Sequence, residues 1–252
     1  MIGNTPRAAA RYQRARQFAD LHFYQKWRAV WPQLSRLPHR GLRFLDAGCG
    51  DGMWSAEIAA RRPEWVVTGV DRDEAGIALA RQRAASLALP NLSFVHSDFS
   101  AFEPPAPFDV VLSICSAHYG ATVAGSQPLF LQLHDWLAPN GRVIMLLPRC
   151  LPEAPFVDRL TKPVWHQLFS RQNLTELCAH GDLTAETIQP CVGPVGTLAK
   201  QLDWTRAAEL RQPLSSLVAV FARGLAVADA WVSVPADRSL LWLMVAHRKA
   251  SA

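Results

Sequence analysis

The chain has 252 residues, half of them apolar, so it can bury a sizeable core, and we expect it to fold as a single domain. Its five cysteines include no C-x-x-C pair, which argues against a zinc ribbon or disulfide framework, predicts no metal site and favours a reducing, cytoplasmic location. The N-terminus lacks the apolar core of a signal peptide, and no uncharged apolar run reaches the roughly 18 residues that span a bilayer, so neither export nor a membrane span is predicted.

The formal net charge of +5 arises at the N-terminus. Residues 1–43 carry nine Arg or Lys and one acid, which leaves 17 basic and 20 acidic residues for the remainder. Helical spacing places three arginines on one face: Arg7, Arg11 and Arg14. An apolar stripe follows them: Phe23, Trp27, Val30 or Trp31, and Leu34. The pattern predicts a helical arm over residues 1–40 with a docked stripe and solvated arginines. The alternative that the arginines bind phosphate or another anion stays open.

Beyond residue 41, short apolar runs alternate with segments of helical period, which predicts an α/β fold with a mostly parallel, doubly wound sheet. The predicted strands are residues 42–47, 65–70, 92–96, 108–114, 141–147, 184–190 and 239–249. The predicted helices run from Met53 to before Pro63, within 73–89, from Pro128 to Pro139 and Gly141, and from Ser170 as N-cap to Gly181. Two further helical segments, 197–211 and 213–230, form an insertion before the last strand.

The stretch "FLDAGCGDGMW", residues 44–54, places three glycines at alternate positions after the first strand. Without Cβ atoms, such a loop lets a ligand approach the backbone and presents free N–H groups to a polar or anionic group. A dinucleotide fingerprint needs glycine where this chain has Met53, and a Walker loop needs a lysine that is absent nearby. The spacing therefore argues against a pyrophosphate cradle.

"LDAGCGDG" resembles motif I of the class I S-adenosylmethionine-dependent methyltransferases. "GVDRD" and "HSDFS" resemble the segments in which the family binds ribose through an acid and adenine through an acid and its neighbour. "FDVVLSI" and "LAPNGRVIM" resemble the next two strands, with Asn140 replacing a glycine of the family pattern. The resemblance covers roughly residues 42–150 and implies a Rossmann-like fold with S-adenosyl-L-methionine as cofactor.

The resemblance implies a cofactor site at the carboxyl edge of the sheet, where open α/β folds bind ligands. Its predicted residues are Asp46, Gly48, Cys49, Gly50, Asp71, Arg72, Asp98, Phe99 and Ser113. Asp71 suits the ribose because an ionised carboxylate can accept hydrogen bonds from both hydroxyls of a diol. In the loop after the fourth strand, His118 is the candidate catalytic base and Tyr119 a candidate positioning group; a role in shaping the pocket is the alternative.

The absence of motifs that are typical of other methyltransferases bears on the class of acceptor. The N/D-P-P-Y/F motif of amino-methylating enzymes is replaced by "SICSAH", and the P-C context of cytosine C5 methylation occurs only at Pro190-Cys191, beyond the sixth strand. The insertion before the last strand is apolar, which suits a cover over a small or lipid-like acceptor; ordinary packing or a homodimer face is the alternative.

The sequence therefore predicts one methyltransferase domain over residues 1–252. Residues 1–40 form a helical cover, residues 41–150 the cofactor-binding core, and residues 151–252 complete the sheet and carry a second cover. The predicted reaction is methyl transfer to a small organic or natural-product acceptor, with oxygen as the preferred acceptor atom. Two alternatives remain: an RNA or other nucleic-acid methyltransferase that uses the basic arm, and a non-catalytic cofactor-binding partner protein.

Overall fold

The computed structural model describes residues 21–116, 124–149, 169–192, 239 and 241–249. The strands in these ranges are β1 (Arg43–Ala47), β2 (Val66–Asp71), β3 (Leu92–His96), β4 (Phe108–Ile114), β5 (Leu137–Pro148), β6 (Leu183–Cys191) and β7 (Leu241–Arg248). The α-helices are α1 (Leu21–Ser35), α2 (Met53–Arg61), α3 (Glu74–Leu87), α4 (Gln127–Trp136) and α5 (Arg171–His180). None of these helices is long and apolar enough to cross a membrane. The arginines at 7, 11 and 14 and the predicted insertion lie outside the described residues.

Within the described ranges, seven strands form one sheet in the order β3-β2-β1-β4-β5-β7-β6. Strand β7 runs antiparallel to β5 and β6, and the other pairs are parallel. The predicted Rossmann-like α/β fold is confirmed, and its strands fall close to the predicted bounds. Because β1 to β6 all run in the same direction, their carboxyl ends meet at one edge of the sheet, and the loops after them converge there.

Helix α1 covers one face of the sheet with the predicted stripe. Phe23, Trp27, Val30 and Leu34 are buried in one cluster with residues of β1, β4, β5 and β7, and Trp31 is packed against it. Two of these rings also meet Trp54 in the first turn of α2, with centroids 4.8 Å from Phe23 and 5.4 Å from Trp27. The stripe prediction is therefore confirmed, and α1 contacts the helix that begins directly after the glycine loop.

One predicted helix boundary is wrong. Helix α4 ends at Trp136, and β5 starts at Leu137, before the Pro139 and Gly141 that were expected to stop the helix. Proline disfavours the helical conformation of the residue before it, here Ala138. The chain is already extended at Leu137, whose Cα is paired to that of Phe108. The expected start of α5 is confirmed, since the Ser170 side chain accepts the N–H of Asn173 in a capping box and Gly181 follows the helix.

Candidate active site

The glycine loop turns sharply between β1 and α2. Gly48 and Gly50 have φ of 81° and 51°, in the left-handed region that side chains with a Cβ rarely adopt. A Cβ on Gly48 would stand 2.3 Å from the Cβ of Ser116, so only glycine fits there. A Cβ on Gly50 would meet no atom within 4 Å, because this glycine borders a cavity. The loop thus leaves its backbone open to a ligand, as a close-fitting cofactor requires.

That cavity has a volume of about 620 Å³ and lies at the carboxyl edge of the sheet. Six of the predicted cofactor residues line it: Gly48, Gly50, Asp71, Arg72, Asp98 and Phe99. The structure therefore brings together residues that are up to 51 positions apart in the sequence (Gly48 to Phe99). Its volume is in the range of pockets that hold a small organic ligand.

The carboxylate of Asp71 ties the loop after β1 to the loop after β2. Its Oδ2 accepts the N–H of Gly50 at 2.7 Å, and its Oδ1 accepts the N–H of Asp73 at 2.9 Å. An ionised carboxylate offers about four lone-pair sites, so these two bonds leave capacity for the two hydroxyls of a ribose. Asp71 is thus held in a fixed orientation at the cavity wall.

Asp98 and Phe99 follow β3. Asp98 Oδ1 accepts the N–H and the hydroxyl of Ser100 at 2.9 and 2.7 Å. These hydrogen bonds hold the pKa of Asp98 below its ordinary value, and the positive charge of Arg72 adds to the effect, so this carboxyl is an ionised acceptor near neutral pH. The ring of Phe99 packs edge-on against Trp136 at 5.7 Å, and its carbonyl accepts Gln132 Nε2 at 2.9 Å.

Three predicted cofactor residues do not line the cavity. Asp46 is 1% exposed and accepts the hydroxyl of Ser55 at 2.6 Å, which joins β1 to α2. Cys49 is buried beneath the loop, where burial raises the pKa of its thiol. Ser113 is fully buried, and its hydroxyl is hydrogen-bonded to that of Ser116. These residues shape the loops around the cavity, and direct cofactor contact by them stays a prediction.

His118 and Tyr119 lie outside the described residues, so their catalytic role also stays a prediction. Sequence reasoning did not select the part of the cavity wall that begins at the last residue of β4: Ile114, Cys115, Ser116, Gly125, Ser126, Pro128, Leu129 and Gln132. In α4, Pro128 and Leu129 come four and three positions before Gln132, which is the spacing of residues on one helix face. Their spacing was available in the sequence, but nothing in it told that this face turns toward the glycine loop.

The protein family follows from a comparison of the whole chain with known families. A family model described as a methyltransferase domain matches residues 38–209, which is more than half of the chain. The chain belongs to the methyltransferase family. Its predicted assignment as a class I S-adenosylmethionine-dependent enzyme is confirmed, and S-adenosylmethionine is the methyl donor of this class.

Curated relatives of the methyltransferase differ in their acceptors. Ribosomal RNA small subunit methyltransferase G of Bordetella pertussis is 28% identical over 192 residues, 75% of this chain and 72% of the relative. Trans-aconitate 2-methyltransferase of Acidovorax sp. strain JS42 is 33% identical over 136 residues, 54% of this chain but only 46% of the relative. Sequence similarity therefore supports methyl transfer without selecting an acceptor.

A solved structure extends the likeness to the fold. Magnesium protoporphyrin IX methyltransferase of Synechocystis PCC 6803, determined with bound S-adenosylhomocysteine, superposes on the methyltransferase with a TM-score of 0.57 and 13% identity. The match covers 88% of this chain and 80% of that protein. At this identity the match demonstrates a shared fold alone.

Asp46 predicts an unusual pH dependence of stability. Burial raises the pKa of Asp46 to about 7, opposed by the Ser55 hydrogen bond and reinforced by the negative charge of Asp71. Its folded pKa thus exceeds the unfolded value near 3.9, so its ionisation costs stability progressively as pH rises from about 4 to about 7. Asp46→Asn should therefore raise the free energy of unfolding by about 2 kcal/mol above pH 7, with no difference below pH 4. Urea unfolding at pH 4 and pH 8 measures this, and a loss of stability at both pH values would contradict it.

Proposed function

We propose that the methyltransferase transfers the methyl group of S-adenosylmethionine to a small organic acceptor, with oxygen as the preferred acceptor atom. The observation that carries this proposal is the cavity of about 620 Å³ between the glycine loop and α4. It supports a ligand enclosed by the fold, and helix α1 packs beside the same loop through Trp54. We further propose the division into an arm, a cofactor core and a C-terminal cover that the sequence predicts.

The described residues offer groups that suit the cofactor. Gly50 leaves open space beside the loop, and Asp71 retains acceptor capacity for the ribose. Asp98 and Phe99 are proposed to receive adenine, and Leu129 of α4 lines the same cavity. S-adenosylmethionine supplies a methyl group on a positively charged sulfur, which keeps the electron pair of the broken bond when the acceptor takes the methyl.

The chain itself must align the methyl donor with the acceptor and exclude water from the site. Holding donor and acceptor in line can supply several kcal/mol of the barrier, and little covalent help from the protein is needed. A hydroxyl acceptor also loses a proton, for which His118 is the proposed base and Tyr119 its proposed neighbour in positioning the acceptor. A cytoplasmic location and a homodimer likewise remain proposals.

RNA is the second candidate acceptor. The observations in its favour are the name of the Bordetella pertussis relative and the nine basic residues of the first 43. If the arm binds RNA, changing Arg7, Arg11 and Arg14 to glutamine should lower the RNA affinity. The slope of log affinity against log salt concentration should also become shallower by about one unit per lost phosphate contact. If the parent protein has no salt-sensitive RNA affinity, the small-molecule proposal is favoured.

Cofactor binding tests the proposed site. S-adenosylhomocysteine should bind at micromolar affinity and NAD should not, and Asp71→Ala should weaken that binding by about 1.5 to 3 kcal/mol through the loss of charge-assisted hydrogen bonds. Isothermal titration calorimetry measures the dissociation constants of both ligands. Asp135→Ala is the matched control, because the side chain of Asp135 is 77% exposed on α4. An unchanged dissociation constant in a folded Asp71→Ala variant would remove this residue from the site.

The acceptor itself requires a turnover assay. Release of S-adenosylhomocysteine during incubation with fractionated metabolite pools should increase with one or a few small-molecule fractions. Turnover confined to ribosomal RNA would overturn the small-molecule proposal. Cofactor binding without turnover on either kind of acceptor would overturn the proposed reaction.

A further inference from the structure

Helix α3 lies along one side of the glycine loop. Three residues at helical spacing form the face that meets the loop: Gly76, Ala80 and Arg83. A Cβ on Gly76 would stand 3.2 Å from the carbonyl oxygen of Gly50, and a Cβ on Gly52 would stand 2.7 Å from that of Ala80. Helix and loop are thus in close contact through small residues, and the third residue of this face adds a positive charge.

Arg83 contacts Asp51 of the loop through two hydrogen bonds. Its Nε donates to the backbone carbonyl of Asp51 at 3.1 Å, and its Nη2 donates to the carboxylate of the same residue at 2.5 Å. The Arg83 side chain is 21% exposed and that of Asp51 is 43% exposed. Because the guanidinium donors have a fixed planar arrangement, two simultaneous contacts determine both the position and the orientation of this part of the loop.

Asp51 lies between the two parts of the loop whose geometry matters for a ligand. Gly50, before it, borders the cavity, and its N–H donates to Asp71 Oδ2 at 2.7 Å. Gly52, after it, has φ of 72°, and the first residue of α2 donates its N–H to Asp51 Oδ1 at 3.4 Å. The loop is therefore held by an acid at the cavity wall and by a cation on α3.

We propose that Arg83 is a positioning residue for the methyl donor: it holds the glycine loop, through Asp51, in the conformation to which the donor binds. This inference rests on the proposed cofactor site and extends that site to α3. A partly exposed ion pair contributes little to the overall stability of a protein. It nevertheless affects the fraction of molecules whose loop is ready for the ligand, and the apparent dissociation constant rises in proportion as that fraction falls.

Isothermal titration calorimetry with S-adenosylhomocysteine gives the first test. Arg83→Met keeps an aliphatic stem and removes the fork, so the affinity should fall about five- to tenfold. Arg83→Lys restores the charge without the fork and should lose about two- to threefold. Arg81→Met is the matched control, because Arg81 is an exposed cation on the same helix that donates to the carbonyl of Phe94; its affinity should stay within about twofold. An unchanged affinity in Arg83→Met would overturn the proposal.

A double-mutant cycle tests whether Arg83 acts through Asp51. Asp51→Asn keeps an oxygen for the N–H at the start of α2 but removes the negative charge opposite the guanidinium, so it should weaken binding about threefold. In the Arg83→Met background the same change should cost less than about 1.5-fold, because its partner is already gone. Equal losses in both backgrounds would mean that the two residues act independently and would overturn the proposal. If Arg83→Met does not fold, Asp51→Asn tests the pair from the loop side, and an unchanged affinity there would overturn it.

Hydrogen exchange without ligand separates positioning from a general loss of stability. The N–H of Gly52 donates to the carbonyl of Cys49 inside the loop at 3.0 Å. In Arg83→Met this amide should exchange about five- to tenfold faster, whereas amides of the paired strands β5 and β7 should stay within about twofold of their parent rates. Equally faster exchange of the loop and the strands would show a merely structural role and would overturn the proposal.

Asn91→Ala is the control with the opposite expectation. The side-chain amide of Asn91 donates to the carbonyls of Ala59, Arg62 and Trp65, each at 3.1 Å, and so stabilises the chain at the amino end of β2. Its removal should speed exchange in the strands, because partly buried acceptors lose their donor, and should leave the affinity for S-adenosylhomocysteine within about twofold. A loss of affinity as large as that in Arg83→Met would mean that any destabilising change weakens binding, and would overturn the assignment.

Salt dependence gives a readout that packing alone would not change. Raising the NaCl concentration from about 0.05 to about 0.5 M screens a partly exposed ion pair, so the affinity of the parent should fall by about twofold or more. Arg83→Met should respond less, and Arg81→Met should respond like the parent; the same response in Arg83→Met as in the parent would overturn the proposal. Failure of the parent to bind S-adenosylhomocysteine at all would defeat the proposed cofactor site itself, whereas binding that is indifferent to Arg83→Met would defeat this inference alone.

Discussion

Gly48→Ala is expected to destabilise the protein by about 3 kcal/mol and to weaken S-adenosylhomocysteine binding more than tenfold. The added Cβ would stand 2.3 Å from the Cβ and 2.9 Å from the Oγ of Ser116, and neither can move freely. Ser116 donates its hydroxyl to the carbonyl of Ala47 at 3.0 Å, which ties the loop after β4 to the end of β1. Strain from φ of 81° adds about 1 kcal/mol to the overpacking.

A double-mutant cycle measures the contact itself. In a Ser116→Gly background the clash disappears, so Gly48→Ala should then cost only about 1 kcal/mol, the part due to backbone strain. Gly50→Ala is the matched control, since its Cβ meets no atom within 4 Å; it should leave stability within about 1 kcal/mol and weaken cofactor binding. Equal costs of Gly48→Ala in both backgrounds would contradict the proposed clash. Urea unfolding and calorimetry provide the two readouts.

The contact between Gly48 and Ser116 explains how the loop acquires its shape. Loops are usually the most variable part of a fold, but here the loop after β1 is anchored from three sides. The backbone N–H of Gly48 donates to the carbonyl of Val70 at 2.8 Å, and the backbone N–H of Gly50 donates to the carboxylate of Asp71. The hydroxyl of Ser116 donates to the carbonyl of Ala47. The ends of β1, β2 and β4 therefore determine the loop jointly, which prepares the backbone for a ligand before it binds.

The parts of the fold that depend on local pattern were predictable. The strand before the glycine loop is a short apolar run, and the caps of α5 are encoded by Ser170 and Gly181. The glycine spacing separated this loop from a dinucleotide cradle because one position, Met53, carries a side chain where that motif needs none. Each of these inferences needed only neighbours in the sequence.

Features that depend on packing between distant segments were not predictable. Leu137 looked like the end of a helix, but its pairing with β4 draws it into a strand. Asp46 belongs to the glycine motif, yet the hydroxyl of Ser55 and full burial place it beneath the loop instead of on the cavity wall. Lys26 is one of several basic residues in its segment of the sequence, and its low exposure of 8% arises only when α1 docks on the sheet.

Docking of α1 leads to the second large effect, expected at Trp27. Trp27→Ala should lower the free energy of unfolding by about 3 to 5 kcal/mol, the cost of removing a large buried aromatic side chain. The residue is 4% exposed, and its ring stacks on Phe23 at 5.6 Å and meets Trp54 at 5.4 Å. The guanidinium of Arg61 lies 5.0 Å from the ring centroid, which adds a cation–π contact that alanine cannot replace.

The same substitution tests whether α1 is a layer of the core or a detachable cover. As a layer, α1 unfolds with the sheet, so Trp27→Ala should lower the denaturant midpoint in one cooperative transition at unchanged slope. As a detachable cover, α1 would melt separately, and two transitions would appear by far-ultraviolet circular dichroism and tryptophan fluorescence. Leu79→Ala is the control, because Leu79 is 56% exposed and its truncation should cost less than about 0.5 kcal/mol. A single transition for Trp27→Ala with a loss below 1 kcal/mol would show that the buried ring contributes far less than its contacts imply.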